Sequence, residues 1–388
     1  MTAKEKFNAG NLINVGGYQA YSPNKINHNF YFTDNKTLIL LEQASAALGK
    51  LNYLCQKIYF SDESSNMYFD MLTIFEALKS GAIEGTNANV EELLTDDSKN
   101  KDRDSTEILN LFEIMIKYCL NNKKTKTDIA NIKTIEKINS DLFKGIEKKE
   151  KFTGKIRDKQ NYIGGNDELS ALFVPPPPSM LKELLDDLNA FWINSNLFLP
   201  ILIKIAIYHY QFETIHPFLD GNGRTGRILI NLQLKESHLL DFPVLCLSDY
   251  WSRNKGQYYD ALTVVRFSHD IEYWIRFFLK SIIDTCEERI TTIENIEELR
   301  KKYIKQFDEI SRMPQNYNKL LDQLFKCPHI TINKAQEILK LSYQGTSKII
   351  QNFVDLGILE EDKSKKRNRI FIFKEYRNII FKSLFKED

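Results

Sequence analysis

The sequence predicts a mainly α protein with a small β-hairpin insert and a mixed tail of helices and short strands. Three observations carry that prediction. Apolar residues recur at near-helical spacing, first at Leu38, Leu41, Ala44, Ala47, Leu48, Leu51 and Leu54. The insert 155–174 breaks the pattern, with Gly164 and Gly165 set between short β-forming runs. In the tail, short amphipathic helices give way to two β-forming segments around a basic loop.

Composition narrows the class. A chain of 388 residues is long enough for two or three domains and a sizeable core. A net charge of +1 argues against a wholesale nucleic-acid or membrane binder. The five cysteines show no CxxC spacing, so neither a zinc site nor a disulfide framework is expected, and a reducing, cytoplasmic setting fits. The first residues lack the apolar core of a signal peptide. The longest apolar stretch, 197–208, is broken by Pro200 and Lys204 and is too short to span a bilayer, so it reads as a buried helix and no membrane association is expected.

In chain order, residues 1–36 are rich in Asn, Gly and Tyr and read as an extended arm with a short hairpin. Helices are expected over 36–59, 66–80 and 106–120, with solvated polar stretches at 100–103 and 121–126. Further helices are expected at 126–142, 180–194, 197–214, 223–237, 255–264 and 271–293. The run Pro175 to Pro178 forces an extended approach to the helix that follows. The expected organisation is a helical N-terminal region (1–115), a catalytic core (116–283), a charged helical linker (284–312) and a C-terminal domain (313–388).

The chemistry concentrates in residues 216–227, HPFLDGNGRTGR. His216 is a candidate general base, since an imidazole titrates near neutrality. Asp220 is a hard oxygen ligand suited to Mg²⁺ on a polyphosphate. Gly221, Asn222 and Gly223 let the backbone turn sharply and present N–H groups to an anion. Arg224 and Arg227 lie on one side of the helix that follows, whose positive end faces whatever the loop holds. A base, a metal ligand, an anion nest and two cationic clamps are what phosphoryl or nucleotidyl transfer requires. A glycine turn capping a helix, with its arginines in solvent, is the plain structural alternative.

This segment resembles the signature of the Fic family, HPFx(D/E)GNGRxxR, at every defined position. Residues 80–87, SGAIEGTN, are similar to that family's inhibitory motif (S/T)xxxE(G/N), with Ser80, Glu84 and Gly85 in its defined places. The insert with Tyr162, Ile163, Gly164 and Gly165 resembles the family's flap, which holds a target's backbone by strand addition. The stretch LSDYWSRNKGQYY resembles the family's nucleotide wall, which puts Asn254 and Tyr258, and less directly Tyr259, beside the base and ribose.

The resemblance implies a Fic-type helical core and transfer of AMP from ATP to a Ser, Thr or Tyr hydroxyl of a target protein. It gives His216 the base role and Asp220 the Mg²⁺. The loop 221–223 and Arg224 would bind phosphates, Arg227 the γ-phosphate, and Phe218 would anchor the loop. Glu84 would compete for Arg227 and repel the triphosphate. A homodimer is implied because many relatives form one.

The tail resembles a winged helix-turn-helix, with 343–356 as the recognition-type helix and the basic stretch 363–369 as the wing, where Lys363, Lys365, Lys366, Arg367 and Arg369 could touch DNA phosphates. The helix itself offers only Lys348 as a base, with Gln344, Thr346 and Asn352, so a protein-interaction role stays open. Removal of AMP, another nucleotide donor, toxin-like inhibition of a cellular enzyme and a DNA-binding regulator that senses ATP are the other functional readings.

Overall fold

The structure is a computed structural model that describes residues 7–61, 67–94, 102–120, 129, 131–146, 153–310, 314–362 and 369–382. The fold is mainly α. It opens with a hairpin of β1 (Gly10–Val15) and β2 (Tyr18–Pro23), paired antiparallel with Val15 opposite Tyr18. Gly16 and Gly17 close it with φ of 56° and 109°, values a two-residue hairpin turn demands.

Helices α1 (Asn35–Ser61), α2 (Met67–Ile83), α3 (Val90–Leu93) and α4 (Arg103–Met115) follow, the last running into a π-helical turn at Ile116–Leu120. Asp102 caps α4 by accepting from the Ser105 N–H, which fixes its start three residues before the predicted one. Next come α5 (Ile132–Leu142), α6 (Pro178–Ile193), α7 (Ile201–Ile215) and α8 (Asn222–Glu236). Helix α7 is apolar nearly all round and is buried from Leu202 to Ile215. It packs against α6, α8 and the long helix described next, so its C-terminal end is held rigidly where the 216–227 loop begins.

Helices α9 (Leu247–Arg253), α10 (Lys255–Ser268) and α11 (Ile271–Ile310) complete this body. Helix α11 is continuous over 40 residues, so no break in secondary structure marks the expected boundary at 283. At 1.5 Å per residue it is about 60 Å long and lies against α1. No helix among the described residues is long and apolar enough to cross a membrane.

The tail contains α12 (Pro314–Lys326), β3 (His329–Thr331), α13 (Ile332–Leu339), α14 (Tyr343–Asp355), β4 (Glu360–Glu361), β5 (Ile370–Ile372) and α15 (Lys374–Ile380). Its three strands form an antiparallel sheet in the order β3-β5-β4. On α14, Thr346 is buried and Asn352 donates to the Tyr317 hydroxyl at 2.5 Å, leaving Gln344 and Lys348 exposed. The basic stretch from Lys363 to Arg367 lies outside the described residues. Arg369 pairs with Glu361.

The tail packs back on the N-terminal helices. Phe381 meets Phe75 of α2 edge-on at 5.7 Å, and Cys327 Sγ donates to the Leu94 carbonyl at 3.1 Å.

Candidate active site

The site forms where α7 ends and α8 begins. His216 caps α7 in the left-handed region, with φ of 50°. Its Nδ1 lies 3.3 Å from the Glu213 carbonyl, which can only accept, so Nδ1 carries the proton and Nε2 is the basic nitrogen. Burial pushes the imidazole down to about 4, which keeps it neutral at pH 7.

Phe218 is fully buried and pins the loop, as the sequence predicts. Asn222 closes the loop on itself: its Oδ1 accepts from the Phe218 N–H at 2.8 Å and its Nδ2 donates to the Phe218 carbonyl at 2.9 Å. Its side chain therefore shapes the loop. Gly221 starts α8 at φ of 80°, and a Cβ there would press on Phe143 and Asn139.

The two arginines are already paired. Arg224 bonds Asp220 at 2.8 Å and also meets the buried Glu107. Burial, only partly opposed by Glu84, draws Arg224 down to about 10. Arg227 is 2% exposed along its side chain. It donates to Ser80 Oγ at 2.8 Å, to the Ser80 carbonyl at 2.9 Å and to Glu84 Oε1 at 2.9 Å. Burial pushes the Glu84 carboxyl up, but Arg227, helped by Arg224 and His216, outweighs it and holds Glu84 below the usual carboxylate range. Glu84 reaches this position because Gly85 ends the segment at φ of 87° and because Gly223 has no side chain; a Cβ on Gly223 would collide with Glu84 Oε1. Ser80, Glu84, Gly223 and Arg227 thus converge from α2, the turn after it and α8.

The insert with Gly164 and Gly165 is shorter than the predicted hairpin. Ile163 and Phe173 form one antiparallel bridge, with the Ile163 N–H on the Phe173 carbonyl at 2.8 Å. Gly164 and Gly165 take φ of 69° and 82°. Beyond them Asp167 accepts from the Leu169 and Ser170 N–H groups, and that local turn competes with further strand pairing. Tyr162 is exposed and donates to the Asn166 carbonyl at 2.7 Å.

Sequence reasoning missed the residues that fasten these parts together. Arg157 donates through Nε to the His216 carbonyl at 2.9 Å and through Nη2 to the Pro176 carbonyl at 2.6 Å, while its N–H reaches the Pro217 carbonyl at 2.9 Å. It thereby joins the base of the 155–174 insert to the loop. Asn139 donates to the Asp220 carbonyl at 3.0 Å and accepts from the Gly154 N–H at 2.8 Å. No local pattern marks either residue, because their partners lie far along the chain. Arg157→Ala should lower stability by about 2–3 kcal/mol, since it strands buried carbonyls. Arg157→Lys should rescue it poorly, because an ammonium cannot span the same fork. Urea unfolding checks this, and an unchanged midpoint in Arg157→Ala would contradict it.

The nucleotide-wall assignments divide. Asn254 sits half-buried between α9 and α10, its Nδ2 on the Tyr250 carbonyl at 2.8 Å. Tyr258 lies in the core: it is 2% exposed, stacks on Trp251 at 4.7 Å and 12°, and its hydroxyl is 3.0 Å from His209 Nε2. The ring with exposed area is Tyr259, at 40%. The reason is helical geometry, which turns neighbouring side chains to different faces. His209 itself is a buried structural histidine, and burial takes it down to about 3.

Glu213 is a buried carboxyl that the motif does not include. Its Oε1 has no hydrogen-bond partner among the described residues, and burial pushes the carboxyl up to about 8, with Arg227 opposing. The folded state therefore holds a proton that the unfolded chain releases near 4.5. That linkage stabilises the fold below about 4.5 and is lost as pH rises through about 8. Glu213→Gln should flatten the pH dependence of the unfolding midpoint between those values; a slope identical to wild type would contradict the assignment.

The Fic/DOC family model matches residues 129–234, and the Fic/DOC family N-terminal model matches 38–117. A protein adenylyltransferase Fic from Aedes aegypti is 32% identical over 207 residues, covering 53% of this chain and 36% of its own. A probable protein adenylyltransferase from Aquifex aeolicus is 31% identical over 201 residues, covering 50% and 55%. The chain thus spans between 36% and 55% of the length of these two relatives. A solved Fic family protein from Desulfovibrio desulfuricans G20 shares the fold, with a TM-score of 0.57 over 89% of this chain and 98% of its own at 19% identity. The matched residues carry α2 with the glutamate that follows it and the α7–α8 loop with its histidine and arginines, and over 38–117 and 129–234 the chain matches the Fic/DOC family.

Proposed function

We propose that this chain is a protein adenylyltransferase, a nucleotidyltransferase that moves AMP from ATP to a protein hydroxyl, with Glu84 as a built-in brake. The observation that carries the proposal is the pair of Arg227 and Glu84 at 2.9 Å beside an intact His216. An anion site filled by the protein's own carboxylate, next to a neutral base, is suited to regulated transfer rather than to passive binding.

In the reaction, the target hydroxyl oxygen attacks the α-phosphorus and the bond to the bridging oxygen of the β-phosphate breaks, so pyrophosphate leaves. His216 Nε2 accepts the hydroxyl proton as the bond forms. The N-terminus of α8 and the loop 221–223 face the charge that develops on the phosphates. Arg227, freed from Glu84, binds the γ-phosphate, and Arg224 binds phosphate oxygens next to it. Asn254 and the exposed Tyr259 flank the nucleoside. The flap around Ile163 aligns the target segment, with Arg157 transmitting its position to His216.

The residues present fit Mg²⁺. Asp220 is a half-exposed carboxylate, and among the described residues no cluster of three or more His, Cys, Asp or Glu forms a cage. That is the donor set for an ion held by one carboxylate, waters and substrate phosphates. When bound there, Mg²⁺ would neutralise charge on the phosphates.

The order of elements in the tail supports a winged-helix reading, in which Gln344 and Lys348 are among the exposed polar residues that α14 offers a partner.

The test uses ATP labelled at the α- or the γ-phosphate with Glu84→Gly, Mg²⁺ and a lysate. Protein labelled from the α-position alone is expected. Label from the γ-position would mean phosphoryl transfer and a reversed triphosphate, and no label from ATP alongside label from UTP, GTP or CDP-choline would move the proposal to another donor.

A further inference from the structure

A second charged cavity lies away from the 216–227 loop. It has a volume of about 720 Å³ and is walled by α2, α9, α11 and α15. Arg289 of α11 lines it and is 5% exposed. Its Nε and Nη1 atoms are fully buried and make no hydrogen bond among the described residues. The guanidinium lies over the Phe75 ring at 5.2 Å. A guanidinium stays charged at any ordinary pH, and a buried charge with unmet donors is costly unless an anion or polar group answers it.

The acids of this cavity do not answer it. Asp249 is taken by Lys79 at 3.0 Å and by Arg253 at 3.2 Å, and Glu288 is taken by Arg253 at 2.8 Å. Glu287 is exposed at the rim. Lys382 adds an exposed cation at the mouth, and Asn295 and Asn378 add amides. Phe75 and Ile379 offer an apolar face beside them.

We infer that this cavity is a binding site for a small phosphorylated molecule, its phosphate on Arg289 and its body against Phe75. A planar fork of donors beside a lysine matches a tetrahedral oxyanion, and the volume exceeds what a lone phosphate needs. No residue of the 216–227 loop lines the cavity, so the two anion sites are separable by mutation.

The experiment is calorimetric titration of the full chain with inorganic phosphate at fixed ionic strength. Wild type should bind, and Arg224→Gln, a change on the loop helix away from this cavity, should keep the binding that depends on Arg289. Arg289→Gln should weaken it about ten- to a hundredfold, as loss of charge-assisted hydrogen bonds implies. Arg289→Lys should retain part of it. If Arg289→Gln does not fold, Lys382→Gln at the exposed mouth serves in its place and should weaken binding severalfold. Unchanged affinity in the folded Arg289 or Lys382 variant, binding abolished by Arg224→Gln, or no binding to wild type would each overturn the inference.

Discussion

Glu84→Gly should raise AMP transfer about ten- to a hundredfold over wild type. Glu84 occupies the guanidinium proposed to bind the γ-phosphate, at 2.9 Å and with its side chain only 29% exposed. A charge-assisted hydrogen bond of this kind contributes about 1.5–3 kcal/mol, and each 1.4 kcal/mol is a factor of ten. The substitution removes the competitor and its negative charge together. It leaves Arg227 with Ser80, which still orients the guanidinium through Nε and Nη2. The variant should also be less stable without nucleotide, because a buried cation loses its partner. ATP should restore stability by binding where Glu84 lay. Initial rates and thermal unfolding with and without ATP check both halves; equal rates in the two chains would remove the brake from the account.

His216→Ala, placed in the Glu84→Gly chain, should lower transfer about 10²–10⁴-fold, the range a positioned general base supplies. Nucleotide affinity should change little, because the imidazole takes no part in holding the phosphates. The pH profile gives an independent check. His216 acts as a base only when neutral, and burial holds it down to about 4. Glu84 raises His216, so its removal moves the imidazole further down. Activity of Glu84→Gly should therefore stay level on the acid side of neutrality and fall only near pH 4 or below. A fall centred near 6.5, the ordinary value for this group, would mean that His216 is solvated during catalysis.

How far the site could be read in advance depended on whether its parts are contiguous. Residues 216–227 carry base, carboxylate, turn and arginines in one segment, so residue types and spacing alone expose the chemistry. Glu84 was legible through a short motif, although its contact with Arg227 crosses 143 residues. Arg157, Asn139 and Glu107 could not be read, because each acts through a partner that only the packing of α4, α5 and the flap brings near. Tyr258 shows the opposite limit: an aromatic beside a nucleotide motif and an aromatic in the core look alike in sequence. Gly164 and Gly165 take the left-handed φ that a turn inside the predicted hairpin needs. The strands around them shrank to one bridge because the local Asp167 turn satisfies the backbone instead. Helix α15 went unpredicted because its apolar face is short and becomes meaningful only against α2 and α11.

Intact mass of a target protein after incubation with unlabelled ATP and Mg²⁺ tests the central claim most directly. Three chains are compared: wild type, Glu84→Gly, and Glu84→Gly with His216→Ala. The target should gain the mass of one adenylyl group with Glu84→Gly, little with wild type, and none with the double variant. Equal gain with wild type and Glu84→Gly, or gain that survives loss of His216, would contradict the account of a histidine-driven transfer restrained by its own glutamate.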